Sequence, residues 1–439
     1  MDNREVYLKG VCGEVRFWAA RKYIKRELSA HIDDKKAELQ AGGITDAEAG
    51  AVKAMGDPAE TGRALNAIHR PRVEWGVISC VLLLSAAGFI AQQACFLNGM
   101  IDTSLSMMFN RVDWEPMIAG LAVMTVLMFA DYSWLIWLRH ACFGVALACI
   151  AVYTWLTYTY TYYWFLPGWS GQVAAIVIPA TLFLLGMAGF IQRHNRWRVW
   201  DMVLLLGLAA VSLIAMSHVS VPYTLLLAVA ELVMLLTALA WGPLNPVQKA
   251  WRAANCAAMF VLILALLHVL QAVSYSISND FDLDSVRHML SGAPLVGLSP
   301  AYMADGIWNL SDGSTDNILA ASIGAYGWLF GIGVIVLFGA LLALLIARSL
   351  RVAHSFGRLL ALGVCAYFGI RFALFTLSNL GLLGSLSLNL PFFGRGSFNY
   401  FTDALFTGLF LSVWRRSSFM PRDAVPGAAV PVAPAPPIQ

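Results

Sequence analysis

Residues 309–316 read Asn309-Leu-Ser-Asp-Gly-Ser-Thr-Asp316 and close the longest polar interval after residue 75, which spans residues 274–316. Hydrophobic segments flank this interval on both sides. The interval is acidic, because a single arginine, Arg287, stands against six aspartates: Asp280, Asp282, Asp284, Asp305, Asp312 and Asp316. We therefore expect a large acidic loop that separates two membrane-spanning helices.

The composition indicates a membrane protein. The chain has 439 residues, of which 59% are hydrophobic and only 13% are charged, and its mean hydropathy is +0.68. Soluble domains have a clearly lower apolar fraction. Repeated apolar runs of about 18 residues or more predict transmembrane helices. The net charge of +3 is too small to indicate nucleic-acid binding.

The sequence predicts an all-α polytopic membrane protein of about ten transmembrane helices over residues 75–416, preceded by a small soluble helical domain at residues 1–74. The segment at 317–347 is long for one span, so we expect it to tilt or to project beyond the bilayer. The ten apolar segments are 76–97, 116–138, 141–158, 172–191, 201–217, 222–242, 254–273, 317–347, 359–381 and 398–414.

The charges of the connecting loops predict the topology. With the N-terminus inside, twelve basic residues fall on the cytoplasmic side and three on the outer side, as the positive-inside rule requires. This count places both termini in the cytoplasm and the acidic loop outside. The inner residues are Arg139, Arg193, Arg196, Arg198, Lys249, Arg252, Arg348, Arg351, Arg358, Arg415, Arg416 and Arg422, and the outer ones are Arg111, Arg287 and Arg395.

Residues 1–74 carry helix signals without a long apolar run. Gly42-Gly43 marks the end of a first amphipathic helix, Thr45-Asp-Ala-Glu48 is a capping box for a second, and Asp57-Pro58 opens a third. The apolar face of the first helix holds Phe17, Ile24, Leu28, Ile32 and Leu39. The other end of the chain, residues 417–439, is rich in Pro and Ala and is expected to be disordered.

The N-terminal segment resembles the permease prefix domain that precedes bacterial membrane proteins. The resemblance covers nearly all of residues 10–75 and includes His31-Ile-Asp-Asp and Ala54-Met-Gly-Asp-Pro-Ala-Glu-Thr-Gly62. It implies a regulatory or interaction module rather than an active site. The alternative is a cytosolic plug with no defined role.

Four charged residues fall inside apolar segments, where a charge is costly and usually paired. They are Asp131 in helix two, Glu231 in helix six, Arg371 in helix nine and Asp403 in helix ten. Glu231 and Arg371 lie at similar depth, so we expect an ion pair between them. Such a pair either clamps two helices together or lines a polar cavity for a charged substrate.

Asp312 and Asp316 end the acidic loop four residues apart, a spacing that places both carboxylates on one face if the turn is helical. This arrangement makes them candidate catalytic groups. The alternative is that Thr315 or Asp316 is the N-cap of the following helix, where a carboxylate is favoured by exposed N–H groups.

Two stretches carry a second resemblance. Leu310-Ser-Asp-Gly-Ser-Thr-Asp316-Asn-Ile-Leu-Ala320 is similar to Leu-Pro-Glu-x-His-Thr-Asp-Phe-Ile-Phe-Ala of the SEDS family, the FtsW/RodA/SpoVE proteins. Asn379-Leu-Gly-Leu-Leu, followed by Leu-Pro-Phe-Phe-Gly-Arg-Gly-Ser397, is similar to the closing segment of that family. Asp131-Tyr132 also fits the family pattern. Ten helices and a large outer loop after helix seven agree with the family architecture.

The resemblance implies a function. SEDS proteins polymerise lipid II on the outer face of the bacterial plasma membrane, usually with a class B penicillin-binding protein. The essential loop aspartate of the family falls on Asp316, which implies a base for the acceptor hydroxyl in an inverting glycosyl transfer. Arg395, Ser397 and Arg287 are candidate substrate-binding residues, and Arg395 is otherwise a lipid-headgroup anchor. No cofactor or metal site is predicted, and a divalent cation is left open.

The sequence also departs from the family. The two glutamates that usually follow the aspartate fall on Gly324 and Ala325, and the histidine of the loop falls on Ser314. These losses favour an alternative, a non-catalytic SEDS-like scaffold or regulator of a wall-synthesis complex. A third hypothesis is a transporter of a lipid-linked substrate, which the charged residues Glu231 and Arg371 would suit.

Overall fold

A computed structural model shows an all-helical chain over the residues that it describes, and no strand occurs in these ranges. Contacts divide the chain into two compact units, one built from Met1–Val73 with Trp414–Arg422 and the other mainly from Glu74–Val413. The described residues are 3–44, 46–68, 72–97, 114–159, 170–194, 197–242, 244–271, 279–301, 316–384, 386, 388–394 and 397–417.

The N-terminal unit contains four helices, one more than the sequence predicts. The unpredicted helix α1 contains Gly10 and Gly13, which lower its helix propensity, but it buries Tyr7, Leu8 and Val11. Gly62 lies in the last helix of the unit and allows that helix to approach α1 closely, because a Cβ at Gly62 would lie 2.8 Å from the Val11 carbonyl oxygen. The helices are α1 (Asn3–Glu14), α2 (Trp18–Ala41), α3 (Ala47–Ala54) and α4 (Pro58–Ile68).

The predicted helix boundaries of this unit are largely confirmed. The chain leaves α2 through Gly42 and Gly43, and Gly43 has a φ of +81°. The Asp57 carboxylate accepts the Glu60 N–H at 3.1 Å, which makes it the cap of α4. The predicted capping box of α3 is shifted by one residue, because Asp46 accepts the Ala49 N–H at 3.3 Å. Asp46 is therefore the N-cap, and Thr45 lies outside the described residues.

Each of the ten predicted apolar segments contains a helix in the second unit. Five of the described helices, α5, α9, α10, α14 and α15, are long and apolar enough to cross a membrane. The helices are α5 (Trp75–Leu97), α6 (Trp114–Phe129), α7 (Arg139–Thr159), α8 (Ser170–Arg193), α9 (Val199–Ser217), α10 (Val221–Ala240), α11 (Pro246–Gln271), α12 (Asn279–Leu290), α13 (Ile318–Tyr326), α14 (Trp328–Ser349), α15 (Ser355–Asn379) and α16 (Ser397–Arg416).

Helices α10 and α15 form the interior of this unit. They pack against each other, and α8 packs against both. Most residues of α10 and α15 are buried, whereas fewer than a third of those of α9 and α14 are. Exposed apolar side chains on the outer helices are suited to contact with the hydrocarbon core of a membrane. Side chains on α10 and α15 are therefore available to a buried site.

The long segment at 317–347 is two helices rather than one tilted span. The break lies at Gly327, which has φ +94° and ψ 172°. That conformation is essentially restricted to glycine. The expectation of one tilted or projecting helix is therefore wrong, because a backbone break divides the segment into α13 and α14.

A loop of residues 293–299 fills the break and supplies the missing hydrogen bonds. The Pro294 and Leu295 carbonyls accept the N–H groups of Trp328 and Leu329, at 3.0 and 2.9 Å. In return the Gly297 N–H donates to the Tyr326 carbonyl at 3.1 Å. Irregular backbone is tolerated at membrane depth only when its polar groups are satisfied in this way.

We expect Gly327→Ala to lower the free energy of unfolding by about 1–3 kcal/mol. The added Cβ would require a conformation that alanine avoids and would lie 2.6 Å from the Leu295 carbonyl oxygen. Thermal unfolding of the purified protein in detergent measures the effect. Gly333→Ala is the matched control, because its Cβ would meet nothing within 4 Å and α14 should gain stability. Equal behaviour of the two variants would contradict the assigned role of the break.

Candidate functional site

Asp316 lies directly before α13 and is buried, with 9% of its surface exposed. The residue after it, Asn317, is the N-cap by position and is fully buried, but its side chain does not cap the helix. A carboxylate at this place is near the positive end of α13. The geometry therefore puts Asp316 inside the protein rather than on an exposed loop.

The first turn of α13 is capped from another helix, by the side chain of Asn379 at the end of α15. Its Oδ1 accepts the N–H groups of Leu319 and Ala320, both at 3.1 Å. Its Nδ2 donates to the carbonyls of Asp316 at 2.8 Å and Phe375 at 3.1 Å. The N-cap by position is Asn317 rather than Asp316, and Asn379 binds the N–H groups of Leu319 and Ala320. The other candidate cap, Thr315, lies outside the described residues.

The predicted pair of Glu231 with Arg371 is also wrong. Arg371 Nη1 lies 2.5 Å from Asp403 Oδ1, and each of these side chains is only 1% exposed. Glu231 instead lies beside Ser212, with 2.8 Å between Oε1 and Oγ. Glu231 and Arg371 lie at similar depths within their predicted apolar segments. Which side chains face each other depends instead on how the packed helices are rotated about their axes.

The Arg371–Asp403 ion pair lies in a buried polar cluster. Tyr223 on α10 donates its hydroxyl hydrogen to Asn399 Oδ1 at 2.9 Å. The same hydroxyl interacts electrostatically with Arg371, Asp403 and Asp316. We call this group the buried polar cluster, and its members are Tyr223, Asp316, Tyr367, Arg371, Asn399 and Asp403.

The cluster has donors to spare. Among the described residues, Arg371 Nε and Nη2 and the Tyr367 hydroxyl have no hydrogen-bond partner. Asp403 is better satisfied, because it also accepts the backbone N–H of Phe392. Unpaired guanidinium N–H groups can bind the oxygens of a phosphate or a hydroxyl. The cluster can therefore orient a polar ligand next to Asp316.

Arg287 holds α12 to the turn after α15. Its Nε donates to the Gly381 carbonyl at 2.9 Å, and Gly381 has a φ of +69°. Its other contact, Asp284 at 4.0 Å, is weak. The Arg287 side chain is 55% exposed. It therefore has a structural bond and remains accessible to a ligand.

The structure corrects the placement of Asp131 and leaves three candidates undecided. Helix α6 ends at Phe129, and Asp131 is exposed and caps a 3-10 helix at Tyr132–Ile136 by accepting the Ser133 N–H at 3.0 Å. The prediction that Asp131 lies within helix two is therefore wrong, because that helix ends before it. Asp312 and Arg395 lie outside the described residues, as does the side chain of Ser397. Within the described chain, no group of three or more His, Cys, Asp or Glu side chains is placed to bind a metal ion.

Sequence reasoning missed four members of the site. Asn379 belongs to the second family-like motif but had no assigned role, and none of Tyr223, Tyr367 and Asn399 was singled out. A buried asparagine just before a glycine turn, as in Asn379-Leu-Gly381, is a recognisable signal for a capping side chain. Tyr223 carries no such signal in the sequence, because its role depends on the packing of α10 against α16.

Comparison of the coordinates with solved structures identifies the fold. The rod shape determining protein RodA of Thermus thermophilus superimposes with a TM-score of 0.53 at 18% identity, over 78% of this chain and 97% of that one. An aspartate-to-alanine variant of that RodA gives 0.52. A chain from a peptidoglycan synthase complex, described as coordinating polymerization and crosslinking, gives 0.52 at 17% identity, over 79% of this chain and 98% of that one.

The fold is RodA-like. No protein-family model and no curated protein sequence matches the chain. The all-helical architecture and the apolar helices make the chain an integral membrane protein with a RodA-like fold. The matches cover almost the whole of each solved chain but only about four fifths of this one.

We expect Asn379→Ala to lower the free energy of unfolding by about 2 kcal/mol, because it removes the cap of α13 and leaves buried N–H groups unsatisfied. Thermal unfolding in detergent is the measurement. Asn255→Ala is the control, because Asn255 is exposed and makes one bond, to the Trp251 carbonyl at 2.8 Å. Its loss should cost less than about 0.5 kcal/mol. Similar losses for the two variants would contradict the capping role.

A double-mutant cycle tests the ion pair. Asp403→Leu and Arg371→Met should each destabilise the protein by about 3–5 kcal/mol, because each leaves the other charge buried and unpaired. The double variant Arg371→Met with Asp403→Leu should lose far less than the sum of the single losses. Additive losses would show that the two side chains do not depend on each other.

Proposed function

We propose that this chain is a SEDS-type peptidoglycan glycosyltransferase that polymerises lipid II at the outer face of the bacterial plasma membrane. Asp316 is the base in this proposal. Its carboxylate accepts the proton of the acceptor sugar hydroxyl while the hydroxyl oxygen bonds to the anomeric carbon of the donor. The bond between that carbon and the lipid diphosphate breaks, and its electron pair leaves with the diphosphate. Attack opposite the leaving group inverts the anomeric carbon.

The observation that carries the proposal is the position of Asp316. It is a buried member of the polar cluster, and Asn379 caps the N–H groups of Leu319 and Ala320. These two N–H groups therefore do not depend on Asp316. A buried carboxylate among polar and charged side chains is a candidate catalytic base.

The surrounding donors support the same chemistry. Arg371 and Tyr367 offer unpaired N–H and O–H groups. Tyr223 lies within electrostatic range of both Asp316 and Arg371. Such donors can orient the substrate hydroxyls or stabilise the developing charge of the diphosphate. Arg395 and Ser397 remain proposed contacts with the same group, and Asp312 remains a second candidate base.

The RodA-like fold adds support for a role in wall synthesis. One matching chain comes from a structure described as a peptidoglycan synthase complex. We propose by analogy that this chain acts together with a class B penicillin-binding protein and that both of its termini are cytoplasmic. The N-terminal unit is proposed to be the prefix domain, with a regulatory or interaction role.

One observation favours the alternative of a non-catalytic scaffold. Gly324 is buried at a position where the SEDS family has a glutamate, and its carbonyl accepts the Ser299 N–H at 2.7 Å. The loop that fills the helix break therefore covers this part of α13. A protein that has replaced an acidic side chain by a covered glycine has lost one polar group of the family site.

Lipid II polymerisation by the purified protein tests the two functions, with and without a class B penicillin-binding protein. Wild type should form glycan strands, and Asp316→Ala and Asp316→Asn should reduce the rate by at least about 10²-fold, because the base is lost. Separation of the glycan products on a gel measures this.

Asp284→Asn is the matched control, because Asp284 is an exposed acidic residue of α12 that is 82% exposed. It should retain the wild-type rate. Activity that persists in the Asp316 variants would move the base elsewhere, with Asp312 tested next. Absence of product from wild type under every pairing would favour the scaffold.

A further inference from the structure

A second buried carboxyl group lies away from Asp316, in the middle of α10. Glu231 is fully buried, with no exposed surface. It follows Tyr223 by eight residues on the same helix, a separation of about 12 Å along the axis. Its only hydrogen-bond partner in the described chain is Ser212 of α9, and its Oε2 has none.

The hydrogen bonds between Ser212 and Glu231 depend on whether the Glu231 carboxyl group carries a proton. Ser212 Oγ lies 2.8 Å from Glu231 Oε1 and 2.9 Å from the Ala209 carbonyl oxygen. A hydroxyl has one proton, and a carbonyl oxygen can only accept. If the Ser212 proton goes to Ala209, the contact with Glu231 needs a proton on the carboxyl group. If Glu231 is ionised, the single Ser212 proton must be shared between its carboxylate and the Ala209 carbonyl, whereas a neutral Glu231 that donates to Ser212 gives each short contact a proton of its own.

The surroundings of Glu231 provide no counter-charge. Helices α8, α9, α11 and α15 pack against α10. None of their described charged or titratable side chains forms an ion pair or a hydrogen bond with Glu231. These side chains are Arg193, Asp201, Lys249, Arg252, Cys256, Arg358, Cys365, Tyr367 and Arg371.

Asp403 provides an internal comparison. It is as deeply buried as Glu231, but it faces Arg371 at 2.5 Å and accepts a backbone N–H as well. An ionised carboxylate is stable in such surroundings because its charge is paired. Glu231 has one hydroxyl neighbour and no cation, so the charged form would be buried with almost nothing to stabilise it.

We propose that Glu231 is a proton-binding site. Its carboxyl group carries a proton at neutral pH and donates it in a hydrogen bond to Ser212 Oγ, which ties α10 to α9. Release of the proton requires α9 and α10 to separate so that water can reach the carboxylate. Because α10 also carries Tyr223, the site couples proton release to movement of a helix that contributes to the buried polar cluster. The protonation state does not depend on the proposed transferase activity.

Infrared difference spectroscopy of the full chain in neutral-lipid nanodiscs tests the proposal. Subtracting Glu231→Gln from wild type at neutral pH should leave the C=O stretching band of a protonated carboxylic acid. Asp403→Asn is the matched comparison. The spectrum of this variant should retain the acid band, because Asp403 is ionised and does not contribute to that band. A difference spectrum that contains carboxylate bands in place of the acid band would overturn the proposal.

Two further variants keep the test decisive if Glu231→Gln folds poorly. Ser212→Ala retains Glu231 and should shift the acid band to higher frequency, because it removes the hydrogen-bond acceptor. An acid band that is present but unshifted would overturn the assignment of Ser212 as the partner. Glu231→Leu cannot donate and should lower the midpoint of thermal unfolding, whereas the amide of Glu231→Gln can donate and should preserve it. Equal losses in the Leu and Gln variants would contradict the donor role.

Discussion

The side chain of Asn379 joins the beginning of α13 to the end of α15, and the position of Asp316 depends on this joint. One amide group accepts two N–H groups of α13 and donates to the carbonyls of Asp316 and Phe375. A helix in a membrane cannot leave its first N–H groups without partners, because no water is available to bind them. Asn379 solves part of this problem by binding two of these N–H groups from a neighbouring helix.

The other end of α13 is held in a comparable way. The break at Gly327 exposes backbone groups, and the loop at residues 293–299 binds them from outside the helix. The nine residues of α13 are therefore fixed at both ends by parts of the chain that are distant or separate in sequence. A short helix is only marginally stable alone, so its order comes from these contacts and from the burial of Ile318–Gly324. This gives Asp316 a rigid support, which is what a catalytic group requires.

The buried carboxyl groups of Asp403 and Glu231 differ in whether they have a partner of opposite charge, and this decides whether the charged form is stable. Arg371 and Asp403 are both charged because each is the partner of the other at 2.5 Å. Glu231 has no such partner, and a neutral acid is the form that its surroundings accommodate. The membrane unit therefore combines a paired charge, a neutral acid and the buried Asp316 within helices that pack around α10 and α15.

The sequence by itself determined the helical class, the ten apolar segments and the caps at Gly43 and Asp57, because hydrophobic runs and capping residues act locally. It also singled out Asp316, Arg371 and Asp403 as chemically important. Only the tertiary structure decided that Arg371 pairs with Asp403, that Glu231 bonds Ser212 and that Asn379 caps α13. The break at Gly327 was also decided by the tertiary structure. A glycine inside an apolar run is compatible with a continuous helix, and here a loop from another part of the chain binds the backbone groups that the break exposes. Pairing depends on how helices rotate and cross, and that orientation comes from packing rather than from any local pattern.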